Sequence, residues 1–213
     1  MILAAALLVA SAVACVAPWA VRNAVVFGEP VFTTTHGGYT LALANNPAYY
    51  EEVLHGPPGA VWGGHRQWLW WDAVNRAGRG LPEPEADRRL RHEAETFIAS
   101  RPREFARAAL ARLGRFWGVA PAAGVYATPL RVACAVWTAP LWVALGLGLS
   151  RRGTWRWPRA AAAAWLVALT LVHAVYWSDM RMRATVVPAV ALVAASAVLP
   201  GHGGSGDRCR REG

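Results

Sequence analysis

The sequence predicts a mainly α-helical integral membrane protein, with about four transmembrane helices and an extracytoplasmic loop region that carries amphipathic helices. Three observations lead there. Apolar residues make up 55% of the 213 residues, and charged residues only 16%, against about 25% charged in an ordinary soluble domain. The stretches 2–17, 132–150, 160–178 and 184–201 hold no Asp, Glu, Lys or Arg, and each approaches the ~17–25 apolar residues that cross hydrocarbon. Four such runs in a soluble bundle would leave too little polar surface to cover them.

Taken in order, residues 1–18 read as a first span at the short end of the range. A secretory signal peptide would need a charged leader before its apolar run, and here that run starts directly after Met1. Ala12-Val13-Ala14-Cys15 is only faintly like a lipoprotein cleavage site, with Ala where Leu is usual. A span at the first residue suggests the expectation that membrane helices precede this chain in the complete protein.

Residues 19–124 form the long polar segment. The β-branched character of Val31–Thr35, followed by Gly37-Gly38, suggests a short hairpin or an extended loop. Asn45-Asn46-Pro47 and Gly56-Pro57-Pro58-Gly59 are further breaks. His65–Ala77 is predicted helical, with Trp68, Trp71 and Val74 on one side. With Trp62 and Trp70 these indoles suit a membrane interface, and carbohydrate stacking is the alternative use of such a cluster. A helix is predicted from about Pro84, with Leu90, Ala94, Phe97 and Ile98 as its apolar stripe. Pro102 interrupts it, and a second amphipathic helix carries Phe105, Ala109, Leu113 and Phe116. The carboxylates of this region alternate with arginine, so ion pairing is their default role.

The later spans are 125–149, 160–177 and 184–199, separated by an Arg-rich loop at 150–159 and a short turn at 178–183, with a tail at 200–213. Arg151, Arg152, Arg156, Arg159 and the arginines of the tail place that loop and the tail in the cytoplasm by the positive-inside rule. Residues 19–124 and 178–183 then face outward, on a multi-pass protein of the cell membrane. Arg22 and Asn23 come to the same face as Arg181 and Arg183, where guanidinium groups can grip a phosphate by bidentate, charge-assisted hydrogen bonds. The plainer alternative is that Arg181 and Arg183 pair with Asp179 and snorkel to headgroups. His173, inside the third span, is either a functional ionisable group or a neutral histidine bonded to a backbone carbonyl.

All 22 basic residues are arginine and the net charge is +9. The arginines form no stripe interleaved with aromatics, so nucleic acid is not expected as a partner. Cys15, Cys134 and Cys209 are too scattered for metal-ligand spacing or for a structural disulfide, and neither a metal nor a cofactor is expected.

Pro18-Trp19-Ala20-Val21-Arg22-Asn23, Gly37-Gly38-Tyr39, Asn45-Asn46-Pro47, Arg101-Pro102, His173 and Arg181-Met182-Arg183 with Pro188 occur in this order along nearly the whole chain. The ordered set resembles the C-terminal part of the polytopic GT-C membrane glycosyltransferases, including the protein mannosyltransferase-like and aminoarabinose transferase-like members. Met182 stands where Tyr is common in that family, Thr185 where Pro is common, and Ala44 where Gly often precedes Asn-Asn-Pro. The resemblance implies transfer of a sugar from a polyprenyl-phosphate donor at the extracytoplasmic face. It implies donor-phosphate contacts by Arg22, Asn23, Arg181 and Arg183. His36, Gly37, Gly38, Tyr39, Asn45, Asn46 and His173 are then cavity-lining candidates. The family's catalytic carboxylate lies in an early outward loop that has no counterpart here, so no catalytic residue is assigned. Expected partners are the lipid-linked donor, the bilayer, and missing N-terminal helices or another membrane subunit. The alternative is a non-catalytic small membrane protein that binds lipid phosphate or a membrane partner, or an incomplete gene product.

Overall fold

A computed structural model describes residues 2–57 and 59–198. The tail 200–213, with Cys209, and the last residue expected of the fourth span lie outside the described residues. The chain divides into two compact units: Met1–Glu51 with Trp62–Phe105, and Glu52–Val61 with Ala106–Gly213. No strand occurs among the described residues.

The first unit opens on α1, Ile2–Phe27, an apolar helix of 26 residues with Pro18 inside it. The first span therefore does not end at Pro18, as the sequence suggests. Residues 19–27 remain apolar apart from Arg22 and Asn23 and contain no glycine, so nothing else in them stops the helix. It stops at Gly28, whose φ of +73° is the left-handed geometry that closes many helices, with its N–H on the Ala24 carbonyl at 3.0 Å. At 1.5 Å per residue α1 is about 39 Å long, more than the ~30 Å of a bilayer core. Its side chains are almost all exposed, on every side.

The segment after Gly28 turns back along α1. Trp19 Nε1–H donates to the Thr33 carbonyl at 2.9 Å, and the Asn23 amide donates to the Val31 carbonyl at 3.0 Å. Residues four apart share one helix face. The pair thus staples residues 31–33 to the helix. The hairpin reading of the next stretch is corrected: Gly37–Ala44 is a helix, α2. It packs on α5, Glu83–Ser100, and Gly38 is what permits the approach. A Cβ there would lie 1.9 Å from the Asp87 carbonyl oxygen.

Asn45 and Asn46 end α2 and start the short helix α3, Pro47–Tyr50. α4 is Gly64–Ala77, and α6, Pro102–Phe116, follows α5 after a break at Arg101. Leu41, Leu43, Tyr49, Tyr50, Trp62 and Ala94 are buried in this unit.

In the second unit α7 is Thr128–Ser150, α8 is Arg159–Val175 and α9 is Val187–Val198. Phe116, Leu145, Leu166, Val186, Val190 and Val193 form the core. Gly148 lets α7 and α9 touch, since a Cβ there would meet the Val193 carbonyl oxygen at 2.1 Å. Beside that contact the Thr154 hydroxyl donates to the Gly148 carbonyl at 2.6 Å and lies 3.1 Å from the Ser196 hydroxyl. Buried hydroxyls are thus satisfied inside the apolar interface.

Of the four expected spans, α1 and α7 are long and apolar enough to cross a membrane. α8 has 17 residues and the described part of α9 has 12. Asp179 shortens the run at this point. Its carboxylate caps a 3₁₀ turn, Met180–Thr185, by accepting the Arg181 N–H, so α9 begins only at Val187.

Candidate functional site

The second unit is poor in acid. Between residues 106 and 198 the sequence has ten arginines and a single carboxylate, Asp179. Arginines there must find other acceptors, and several take main-chain carbonyls. Arg112 Nε donates to Ala174 O at 2.9 Å, Arg131 Nε to Pro121 O at 2.9 Å, and an Arg183 terminal nitrogen to Gly118 O at 2.7 Å. Asp179 is itself occupied. Arg181 Nε and a terminal nitrogen reach one of its oxygens at 2.9 and 2.7 Å. That hydrogen bond and the charge beside it raise the Arg181 pKa above the usual arginine value. The pairing alternative therefore describes Arg181.

Arg183 is different. It is half-buried, its Nε donates to Met180 O at 3.2 Å, and its guanidinium lies 5.3 Å over the Trp142 ring. It has no carboxylate partner among the described residues. Cation–π contact and carbonyls hold the group in place without neutralising it. From Arg183 an aromatic ladder runs through the unit. Trp142 meets Trp117 edge-on at 5.3 Å, Trp117 meets Phe116 at 5.1 Å, and Phe116 stacks on His173 at 4.5 Å. Two candidate site residues of the sequence, His173 and Arg183, are thus joined by three rings, of which only Phe116 is marked in the sequence, as part of an apolar stripe. Arg183 lies level with Trp142, past the middle of α7, rather than with the first turn of that helix. In the same turn as Arg183, Ser178 is 3% exposed and its hydroxyl has no hydrogen-bond partner.

The remaining candidates belong to the first unit. Arg22 is exposed, lies 5.4 Å over the Trp19 ring and donates to the Asn23 side-chain oxygen at 3.1 Å. Asn23 is 1% exposed and its amide is engaged by Val31. Asn45 and Asn46 are buried and do backbone work. Their amides donate to Leu41 O and Ala42 O, and the Asn46 oxygen caps α3 by accepting the Tyr49 N–H at 2.8 Å. The Tyr50 hydroxyl reaches the Asn45 oxygen at 3.2 Å. Asn45-Asn46-Pro47 is thus a helix-to-helix joint, with both asparagines buried and Pro47 exposed.

His36 and Tyr39 do line a cavity. Their rings lie 4.9 Å apart, and the Tyr39 ring lies 5.8 Å from Trp70. The Tyr39 N–H donates to an Asp87 oxygen at 2.9 Å, and burial pushes the phenol pKa up. The cavity is about 430 Å³, walled by α2, α4 and α5. Gly37 is not among its lining residues; a Cβ there would meet the Arg91 guanidinium. Among the described residues no three His, Cys, Asp or Glu side chains are grouped to hold a metal ion.

These features define a mainly helical chain with two helices able by length and composition to cross a membrane, and with an unneutralised arginine in the unit that holds the second of them. Comparison with protein-family models, curated proteins and solved structures found no match.

Proposed function

We propose that this chain is part of a multi-pass membrane glycosyltransferase and binds the phosphate of a polyprenyl-phosphate sugar donor in a site entered from the extracytoplasmic face. The observation that carries the reading is Arg183. A half-buried guanidinium with no carboxylate partner is costly unless an anion completes it, and a phosphate is the anion that its planar fork fits best. The ordered resemblance to the GT-C enzymes supplies the substrate class, and the long apolar helices α1 and α7 supply the setting. In the first unit, Asn23 positions the chain after α1.

The test is binding of polyprenyl phosphate to the full chain in lipid nanodiscs, with the neutral polyprenol as comparison. Retained phosphate-dependent binding that falls at least tenfold in Arg183→Ala, and partly recovers in Arg183→Lys, is the expected result. Equal binding of the phosphate and the alcohol would overturn it.

A second reading, a non-catalytic protein that holds lipid phosphate, is favoured by one observation. Asp179, the only acid between residues 106 and 198, is engaged by Arg181 and is poorly placed to act as a base. No catalytic residue is assigned to this chain on either reading. Phosphatidic acid binding as tightly as polyprenyl phosphate would favour this second reading.

A further inference from the structure

The cavity of the first unit has a chemistry of its own. Its volume of about 430 Å³ lies within the ~300–1,000 Å³ of small-molecule sites. Its floor is apolar, with Val74, Ala86 and Leu90, and its aromatic wall is Tyr39 and Trp70. Three carboxylates, Glu83, Asp87 and Glu93, stand around it. Each already accepts a hydrogen bond from the protein. Glu83 takes the Thr35 hydroxyl, Asp87 the Tyr39 N–H, and Glu93 the Arg89 Nε–H at 2.9 Å.

We propose that this cavity binds a saccharide of one or two pyranose rings. An anion would face three carboxylates against Arg89, which Glu93 already holds. A wholly apolar ligand would strip water from the carboxylates and return nothing. A cationic ligand is the competing match, since the donors to Glu83 and Asp87 are neutral and only Glu93 is paired with a cation; it would leave the hydrogen-bonding Asn75 amide and Tyr39 phenol unused. A sugar ring has an apolar C–H face for Trp70 and Tyr39 and a hydroxyl edge. The carboxylates' remaining lone pairs, the Asn75 amide and the Tyr39 phenol can serve that edge. The half-buried phenol, its pKa pushed up by burial, keeps its proton and so can donate. The binding claim rests on this cavity alone. Calling the bound sugar the acceptor of transfer rests on the glycosyltransferase reading.

Saturation-transfer NMR on the full chain in nanodiscs tests it with methyl glucoside, methyl mannoside, methyl galactoside and N-acetylglucosamine as probes. At least one should bind at millimolar concentration. Trp70→Ala and the nearly isosteric Glu83→Gln should each weaken it about tenfold, while Trp155→Ala leaves it unchanged. Should Trp70→Ala fail to fold, Glu83→Gln decides the matter. The proposal is overturned if no probe binds, if both cavity variants bind as well as the parent, or if choline displaces every sugar at lower concentration. Sugar binding that survives while polyprenyl-phosphate binding fails would leave the cavity assigned and remove the donor-phosphate reading.

Discussion

Gly38 shows how a single residue can decide a helix contact. Its missing Cβ gives α2 access to the Asp87 backbone, and an added carbon would lie 1.9 Å from a carbonyl oxygen on a rigid helix. Backbone cannot yield as a flexible side chain can. Gly38→Ala should therefore destabilise the first unit by about 2–3 kcal/mol, the upper part of the usual overpacking cost. Thermal unfolding in detergent reads this, and an unchanged midpoint would mean that α2 does not pack on α5 as described. The sequence marks Gly37-Gly38 as a turn, since paired glycines usually are turns. Nothing local distinguishes a glycine needed for a dihedral from one needed for contact 49 residues away, and Gly38 carries no positive φ. Asn45 and Asn46 illustrate the same limit. They are found as special, but as cavity residues, whereas their amides are spent on α2 carbonyls and on the cap of α3. Arg183 stands out in the sequence because arginine beside an apolar run has few other uses. That Asp179 would pair with Arg181 and leave Arg183 to main-chain carbonyls and an indole required coordinates.

Among the elements, the amphipathic ones were the most readable. α4, α5 and α6 begin and end close to where the apolar stripes, Pro84 and Pro102 place them. α1 was misread at its end because proline is treated as a stop. A helix survives proline when the residues on both sides favour helix and only one backbone bond is lost. The extension matters, because it puts Trp19 and Asn23 on helix rather than in a loop, spaced to staple residues 31–33. Removing the Asn23 amide leaves the Val31 carbonyl without its donor, a loss of about 1 kcal/mol. In Asn23→Ala, residues 28–35 should exchange amide hydrogens several-fold faster, while α5 exchanges as in the parent. Equal loss of protection in both segments would show a global effect and refute a local staple.

For the whole molecule, the central matter is how often the chain crosses the bilayer. α1 and α7 can span it by length and composition; α8, at about 26 Å by helical rise, falls a few ångströms short of an average hydrocarbon core. The described part of α9 is shorter still and runs beside the second half of α7, where Gly148 meets Val193. Under the four-crossing reading, residues 19–124 face outward and the Arg151–Arg159 connection faces the cytoplasm. Both can be reached by cysteine labelling after Cys15, Cys134 and Cys209 are replaced by Ala or Ser. Arg79→Cys lies on an exposed turn of the first unit, and Gly153→Cys lies in the Arg-rich connection. A membrane-impermeant maleimide applied to intact cells should label Arg79→Cys at once and Gly153→Cys only after permeabilisation. The reverse pattern would invert the topology and remove Arg183 from the extracytoplasmic face, and with it the donor assignment. Labelling of both positions in intact cells would mean that α7 does not separate them, and an even number of crossings between residues 79 and 153 would follow.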